Sequence, residues 1–318
     1  MIYANPVELY LKYRPQNFGE VIGQDEAVST LSDLGRRGVF PHAILFTGPS
    51  GCGKTTLARI IAKKLKCPPL TPEGKESPDY QEMNAADCRG IDDIRAIAQR
   101  LGTAPMLAAC RVIYLDECHG MTSDAQDAFL KLLEDTPPHI YFLLSTTNPN
   151  KLKKTILTRC QRVDCKPITE AGLRELVESV ALREGKTLTQ AVINHIADCS
   201  ENSGRQALVL LHAVLGLADE KEQLAAVSKV SQSRDAIELV QALVSKKPWA
   251  SVAAILKELD EDPEGLRRLI LGYCSKIVLG AGGSAGRAAM IIEEFWEPLY
   301  DIGKPGLVVR CYSICNNA

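Results

Sequence analysis

The octapeptide Gly48-Pro49-Ser50-Gly51-Cys52-Gly53-Lys54-Thr55 restricts the fold of this chain more than any other stretch. It fits G-x-x-x-x-G-K-[ST], follows the apolar run "AILFT" (43–47) and leads into the helical pattern "TLARIIAKKL". Strand, glycine-rich loop and helix in that order make the pattern a phosphate-binding loop. Small residues let successive backbone N–H groups converge on anionic oxygens, and the following helix directs its positive end at the same point. A loop of this kind sits at the carboxyl end of a strand in an open parallel sheet, so further strands and crossover helices are expected.

The chain supplies them. "YQEMN" (80–84), "RVIYLDE" (111–117), "IYFLLSTT" (140–147) and "QRVDCK" (161–166) alternate with helical patterns, which predicts an α/β domain whose parallel sheet is covered on both faces. "CPPLTPEGKESPD" (67–79), rich in proline and charge, interrupts the alternation and reads as a surface loop. Between Ile168 and about Ala218 the pattern turns helical, with Gly, Ser, Asn and Thr punctuation that leaves room for three or four short helices. From about Ser233 only helical periodicity remains, broken at "KKP", "DEDP", "GAGGSAG" and "IGKPG". Three domains are expected: an α/β P-loop domain over 1–166, a small helical domain over 167–228 and an all-helical domain over 229–318.

The chemistry expected of the loop is specific. Lys54 meets the β- and γ-phosphates of a nucleotide, Thr55 offers its hydroxyl to Mg²⁺, and Thr56 completes the loop's contacts. "RVIYLDECHG" runs an apolar strand into Asp116 and Glu117, where a parallel sheet places its ligands. Asp116 suits a Mg²⁺ partner, and Glu117 suits the general base that orients water toward the γ-phosphate. His119 fits either a positioning role or a polar surface residue. Thr147 and Asn148, closing the strand "IYFLLSTTN", fit either a γ-phosphate sensor or an ordinary strand cap.

Composition narrows the partners. With 37 basic against 39 acidic residues the chain lacks the basic excess of a stand-alone nucleic-acid binder, so any such contact is local or shared between subunits. Eleven cysteines occur without a C-x-x-C pair or finger spacing, which reads as reduced thiols and no zinc. No leader and no apolar run near 18 residues is visible, so a cytosolic protein without a membrane partner is expected.

Five segments carry a resemblance to AAA+ ATPases, specifically the clamp-loader branch: replication factor C small subunits, their phage counterparts, and the gamma/tau subunit of bacterial DNA polymerase III. They are "LKYRPQNFGEVIGQDEAVSTL" (11–31), "NAADCRGIDDIR" (84–95), "DECH", "SDAQDAFLKLLED" (123–135) and "LTRC", in consistent order over residues 8 to about 215. The resemblance implies a helical lid after the P-loop domain and a helical collar at the end. It assigns Arg159 of "LTRC" to the γ-phosphate of a neighbouring protomer's ATP, and Arg205, in "NSGRQAL", to the chain's own nucleotide from the lid. Asn202 and Gln206 depart from the family's Gly and Asp there. Tyr13, Arg14, Val21 and Ile22 fall where the family cradles adenine, although Val21 and Ile22 also suit ordinary core. Arg89 falls where related loaders couple DNA contact to the acidic catalytic residue, and Gln126 where a glutamine joins adjacent ATPase modules.

What the resemblance implies is an ATPase subunit that uses ATP and Mg²⁺, joins other loader subunits in a pentameric ring holding several copies of this chain, and acts on a sliding clamp and primer–template DNA. ATP binding opens and loads the clamp, and hydrolysis releases it. Bacterial gamma/tau subunits carry a four-cysteine zinc module between the first helix and the second strand, where this chain offers only Cys67, so a phage or archaeal-style small subunit is expected, cytoplasmic, or nuclear in a eukaryote. Two rival expectations are a non-hydrolysing structural subunit of the same assembly and an AAA+ motor that translocates DNA or remodels protein. Intact Lys54, Thr55, Asp116 and Glu117 speak against the first, and the lack of paired pore-loop aromatics or a DNA-binding tail against the second.

Overall fold

The computed structural model describes residues 8–71, 74–85, 90–259, 263–280, 283–299 and 302–316, with the backbone alone at 100 and 232–235. The chain forms two compact units, residues 1–215 and 216–318.

Unit 1 opens with helices α1 (Leu9–Lys12) and α2 (Asp25–Arg37). The α/β part then runs β1 (Ala43–Thr47), α3 (Lys54–Lys64), β2 (Tyr80–Asn84), α4 (Ile91–Leu101), β3 (Arg111–Asp116), α5 (Ser123–Glu134), β4 (Ile140–Thr146), α6 (Lys154–Leu157) and β5 (Gln161–Asp164). Three helices complete the unit: α7 (Glu170–Arg183), α8 (Gln190–Asp198) and α9 (Gly204–Val214).

All five strands pair in parallel, in the order β2-β3-β4-β1-β5. The three inner strands are buried almost throughout, whereas the edge strands β2 and β5 expose alternate or most positions. Alternation along each inner strand feeds two cores. Ile44, Phe46, Val112, Tyr114 and Leu143 face one side with Leu31 of α2 and Leu57 and Ile61 of α3. Leu45, Ile113, Leu115, Phe142 and Leu144 face the other with Ile94 and Ile97 of α4 and Phe129 of α5. Each such side chain contributes about 1.5–3 kcal/mol by leaving water, which explains the near-continuous apolar runs of the inner strands.

The register brings the carboxyl ends together. Thr47 of β1 pairs with Thr146 of β4, and Leu144 of β4 with Leu115 of β3, so the segments that follow β1, β3 and β4 emerge side by side. Helix starts are fixed by side-chain caps: Thr122 accepts from Ala125 N–H, Thr169 from Gly172 N–H and Ser203 from Gln206 N–H.

The 67–79 segment is only partly the expected surface loop. The carboxylate of Asp79 is fully buried and accepts backbone N–H bonds from Met106 (2.8 and 3.0 Å), Leu107 (2.7 Å) and Ala108 (2.8 Å), with the Arg111 guanidinium 3.7 Å away. Burial raises its pKa, but those N–H groups and Arg111 outweigh it and hold the carboxyl below its ordinary value.

Unit 2 is helical in its described residues: α10 (Glu220–Val244), α11 (Trp249–Glu258), α12 (Pro263–Leu279), α13 (Ala285–Glu294) and α14 (Gly303–Asn316). Its core gathers Leu239, Leu243, Leu256, Ile270, Ile291 and Phe295. Helix α10 runs unbroken through residue 228, where the sequence reading drew its second border. Beside the core, the nearly buried carboxylate of Glu264 bonds Arg267 (2.8 Å) and the backbone N–H of Leu299 (2.9 Å). Among the described residues no helix is long and apolar enough to cross a membrane.

Candidate nucleotide-binding and catalytic site

The loop after β1 turns on glycines that tolerate no side chain. A Cβ on Gly48, at φ +152°, would lie 2.2 Å from the backbone oxygen of Cys165 beyond β5. One on Gly51, at φ +74°, would lie 1.9 Å from Oγ of Ser203, the cap of α9. The loop is therefore threaded between the sheet edge and α9, and only glycine permits that approach.

Lys54, the first residue of α3, is 6 % exposed and donates to the carbonyl oxygens of Gly48 and Pro49, both at 2.7 Å. Its ammonium is thereby held over the loop, where an incoming phosphate oxygen competes for it. Ser50, Gly51, Cys52, Gly53, Lys54, Thr55 and Thr56 line a cavity of about 330 Å³. Asp116 and Glu117 close one side and Arg205 of α9 another, and Tyr13, Arg14, Val21 and Ile22 line it from the N-terminal segment.

The cavity suits an anion. Burial, then the like charges of Arg59 and Arg205, lower the pKa of Arg14, and Lys54 lines the same space. A polyanion there relieves that repulsion. The residues also fit Mg²⁺: Thr55 and Asp116 offer one hydroxyl and one carboxylate, the sparse protein contribution this ion takes when phosphates complete its shell. Among the described residues no group of three or more His, Cys, Asp or Glu is gathered for a metal.

Those two residues are linked. Thr55 Oγ1 lies 3.0 Å from the hydroxyl of Tyr114, which donates to Ser145 Oγ at 2.9 Å, and Ser145 donates a short bond to Asp116 Oδ1. Tyr114 and Ser145 are fully buried. Sequence reasoning missed both, because each occupies an inward position in an apolar strand.

Glu117 is bound on its far side. Its backbone takes the left-handed conformation, φ +48°, at a cost of about 1–2 kcal/mol, of the kind stored at functional sites. Its Oε2 accepts from the Thr147 hydroxyl (3.0 Å) and N–H (3.2 Å) and lies 3.1 Å from Nδ1 of His119. The same His119 nitrogen lies 3.0 Å from Thr146 Oγ1. The structure thus brings Thr147 and His119 to Glu117, while Asn148 offers its N–H to Thr146 Oγ1 at 3.0 Å.

Other expected residues lie elsewhere. Arg159 does not line the cavity; it donates to Thr155 O (3.1 Å) and makes a short ion pair with Glu134 at the end of α5. Gln126 is 4 % exposed, and its amide is used inside the chain, on Met121 O (3.2 Å), Lys151 O (3.3 Å) and Lys153 N–H (2.9 Å). Arg89 lies outside the described residues.

Tyr10 was not anticipated. It lines the cavity, and the Arg205 guanidinium stacks over its ring at 5.6 Å. The short α1 that carries it is tied to the end of α7 by Lys12 and Glu184 at 2.6 Å. No periodic signal marks a helix of four residues, so only the three-dimensional packing reveals it.

Residues 23–169 match the family model described as DNA polymerase III, delta subunit. Over 227 residues the chain is 35 % identical to DNA polymerase III subunit gamma/tau of Mycobacterium tuberculosis H37Rv, covering 66 % of this chain and 39 % of that protein. It is 34 % identical over 225 residues to subunit tau of Bacillus subtilis, covering 67 % and 40 %, and 32 % identical over 249 residues to subunit tau of Escherichia coli K12, covering 73 % and 39 %. The chain thus spans about two fifths of the length of these bacterial relatives. Among solved structures, the Thermotoga maritima RuvB Holliday junction branch migration motor superposes with a TM-score of 0.59 at 21 % identity, over 77 % of this chain and 85 % of that one. At that identity the likeness is one of fold alone.

Proposed function

The chain is a relative of the DNA polymerase III gamma/tau subunits in an AAA+ P-loop fold, and from that premise we propose that it is an ATPase subunit of a sliding-clamp loader. The observation that carries the reading is one cavity in which Lys54, Thr55, Asp116, Glu117 and Arg205 converge.

In this reading the N–H groups of residues 48–53 and the ammonium of Lys54 bind the β- and γ-phosphates, and Tyr13, Arg14, Val21 and Ile22 enclose the base. Thr55 and Asp116 hold Mg²⁺, which when bound neutralises charge on the phosphoryl oxygens. Glu117 accepts the proton of the attacking water, with Thr147 and His119 setting the direction of its carboxylate. Arg205 reaches the phosphates from α7–α9, which act as a lid, and unit 2 acts as the collar that holds protomers together.

Arg159 completes the next protomer's site. Its pairing with Glu134 on the surface, away from its own cavity, supports a role in trans. A guanidinium delivered to the transferring phosphoryl group is worth about 10³–10⁵ in rate in GTPases. ATP bound in one subunit then also draws the next into place, closing a pentameric ring that contains several copies of this chain.

The ring grips and opens a clamp, and primer–template DNA triggers hydrolysis and release. Backbone phosphate contacts, shared among subunits, let a near-neutral chain hold DNA. The bacterial relatives support a cytoplasmic setting. The test is ATP turnover by the assembled complex: primed DNA together with clamp accelerates it, and a rate indifferent to both at every salt concentration rejects the loader reading.

A further inference from the structure

Two cysteines meet at the phosphate-binding loop. Cys52 lies in the loop and lines the cavity; Cys165 follows β5 directly. They are 2 % and 4 % exposed and belong to one buried cluster. The side-chain amide of Gln24 bridges the backbones of Cys52 and Lys166, the residue after Cys165, donating to Cys52 O (3.1 Å) and Lys166 O (2.6 Å) and accepting from Lys166 N–H (3.0 Å). Gly48, at the start of the loop, has no room for a side chain against Cys165. The two segments are thus held together from both sides.

From this juxtaposition we propose that Cys52 and Cys165 are a reversible dithiol switch: a peroxide oxidises Cys52, Cys165 resolves it as a disulfide, and the bond takes the loop out of its phosphate-binding conformation. The steps balance. The Cys52 thiolate attacks one oxygen of hydrogen peroxide, giving a sulfenic acid and hydroxide. The Cys165 sulfur then displaces that hydroxyl, which leaves as water with the Cys165 proton.

The reactive partner is identifiable. The thiols interact side chain to side chain, and that hydrogen bond, then Lys54 and nearby backbone N–H groups, hold Cys52 below the ordinary thiol value against the effect of burial. The same pairing and burial push Cys165 up. Cys52 lines the cavity and Cys165 does not, so Cys52 is the thiol open to a peroxide and acts as nucleophile, with Cys165 resolving. A second interacting pair, Cys67 and Cys110, is also buried, but neither residue lines the cavity; its thiols donate to Asp79 O (3.2 Å) and Leu65 O (3.3 Å). It serves as an internal control.

The consequence of the switch rests on the nucleotide reading above, whereas its chemistry does not. The experiment first measures binding of a fluorescent ATP analogue to the reduced protein. The protein is then treated with hydrogen peroxide, with and without ATP and Mg²⁺, and free thiols are blocked before non-reducing peptide mass spectrometry. The expected results are a linked Cys52–Cys165 peptide, slower to form with nucleotide present, and nucleotide affinity lowered about ten-fold or more and restored by dithiothreitol. Cys165→Ala forms no linked peptide and, reduced, binds nucleotide as the parent does. Should that variant fail to fold, a dimedone adduct on Cys52 early in the parent's oxidation reports the first step. Oxidation confined to Cys67 and Cys110, or a linked peptide with unchanged affinity, overturns the proposal. A linked peptide in a protein that binds no nucleotide when reduced supports the dithiol and rejects the nucleotide reading.

Discussion

Replacing Tyr114 with phenylalanine keeps the buried ring and deletes one oxygen, so it isolates the contribution of the hydrogen-bonded chain that joins Thr55 to Asp116. The hydroxyl makes two bonds, 3.0 Å to Thr55 Oγ1 and 2.9 Å to Ser145 Oγ. Ser145 keeps its bond to Asp116, and Thr55, only half-buried, can turn to solvent, so neither partner is stranded. At about 0.5–1.5 kcal/mol per net bond, unit 1 should lose about 1–3 kcal/mol. The functional effect is more selective. With Thr55 and Asp116 no longer oriented by a common link, the Mg²⁺ concentration for half-maximal ATP turnover should rise about three- to ten-fold, equivalent to about 0.7–1.4 kcal/mol. Binding of ATP without metal should be unchanged. Urea denaturation and a Mg²⁺ titration at saturating ATP provide the readouts. Unaltered Mg²⁺ dependence, or an equal loss of metal-free ATP binding, would refute the idea that this hydroxyl serves the metal-holding pair.

Three further outcomes follow from particular contacts. Gly51→Ala combines a left-handed alanine with a clash against the Ser203 cap, so thermal or urea unfolding should show a loss of roughly 2–4 kcal/mol, with ATP affinity falling as α9 and Arg205 are displaced. Asp79→Asn leaves one acceptor oxygen for the N–H groups of Met106, Leu107 and Ala108, and should cost about 2–3 kcal/mol with faster hydrogen exchange across 104–108. In unit 2, Glu264 has its pKa held down to about 2, first by the Arg267 hydrogen bond and then by the Leu299 N–H, against burial. A depressed carboxyl stabilises fully above its unfolded value near 4.5 and loses that contribution as pH falls toward 2, so acid unfolding of unit 2 should steepen in that window in the parent and not in Glu264→Gln.

The α/β half was legible because inner strands buried on both faces read as continuous apolar runs, and β1 and β2 begin and end where their sequences indicated. The other strand ends were overrun for local reasons. β3 stops at Asp116 because Glu117 turns left-handed, and β4 stops at Thr146, whose hydroxyl takes the N–H of Asn148. The phosphate loop and the Asp116-Glu117 pair were readable because their chemistry requires a fixed spacing. Tyr114 and Ser145 were not, since a hydroxyl at an inward strand position looks like part of the core until its partners are known. No glycine or proline interrupts 220–244, so α10 crosses residue 228, whereas the compact units divide at Gly216.

A mixing experiment tests the shared active centre most directly. Arg159→Ala leaves the nucleotide cavity complete and removes the guanidinium proposed to serve the neighbour; Glu117→Gln removes the proposed base and leaves Arg159. Each variant alone, assembled into the loader complex, should turn over ATP at a small fraction of the parental rate. Assembled together, they should recover turnover well above the sum of the two, since an intact cavity then meets an intact arginine across a subunit boundary. Parental turnover by Arg159→Ala alone, or a mixture no faster than that sum, would contradict the account.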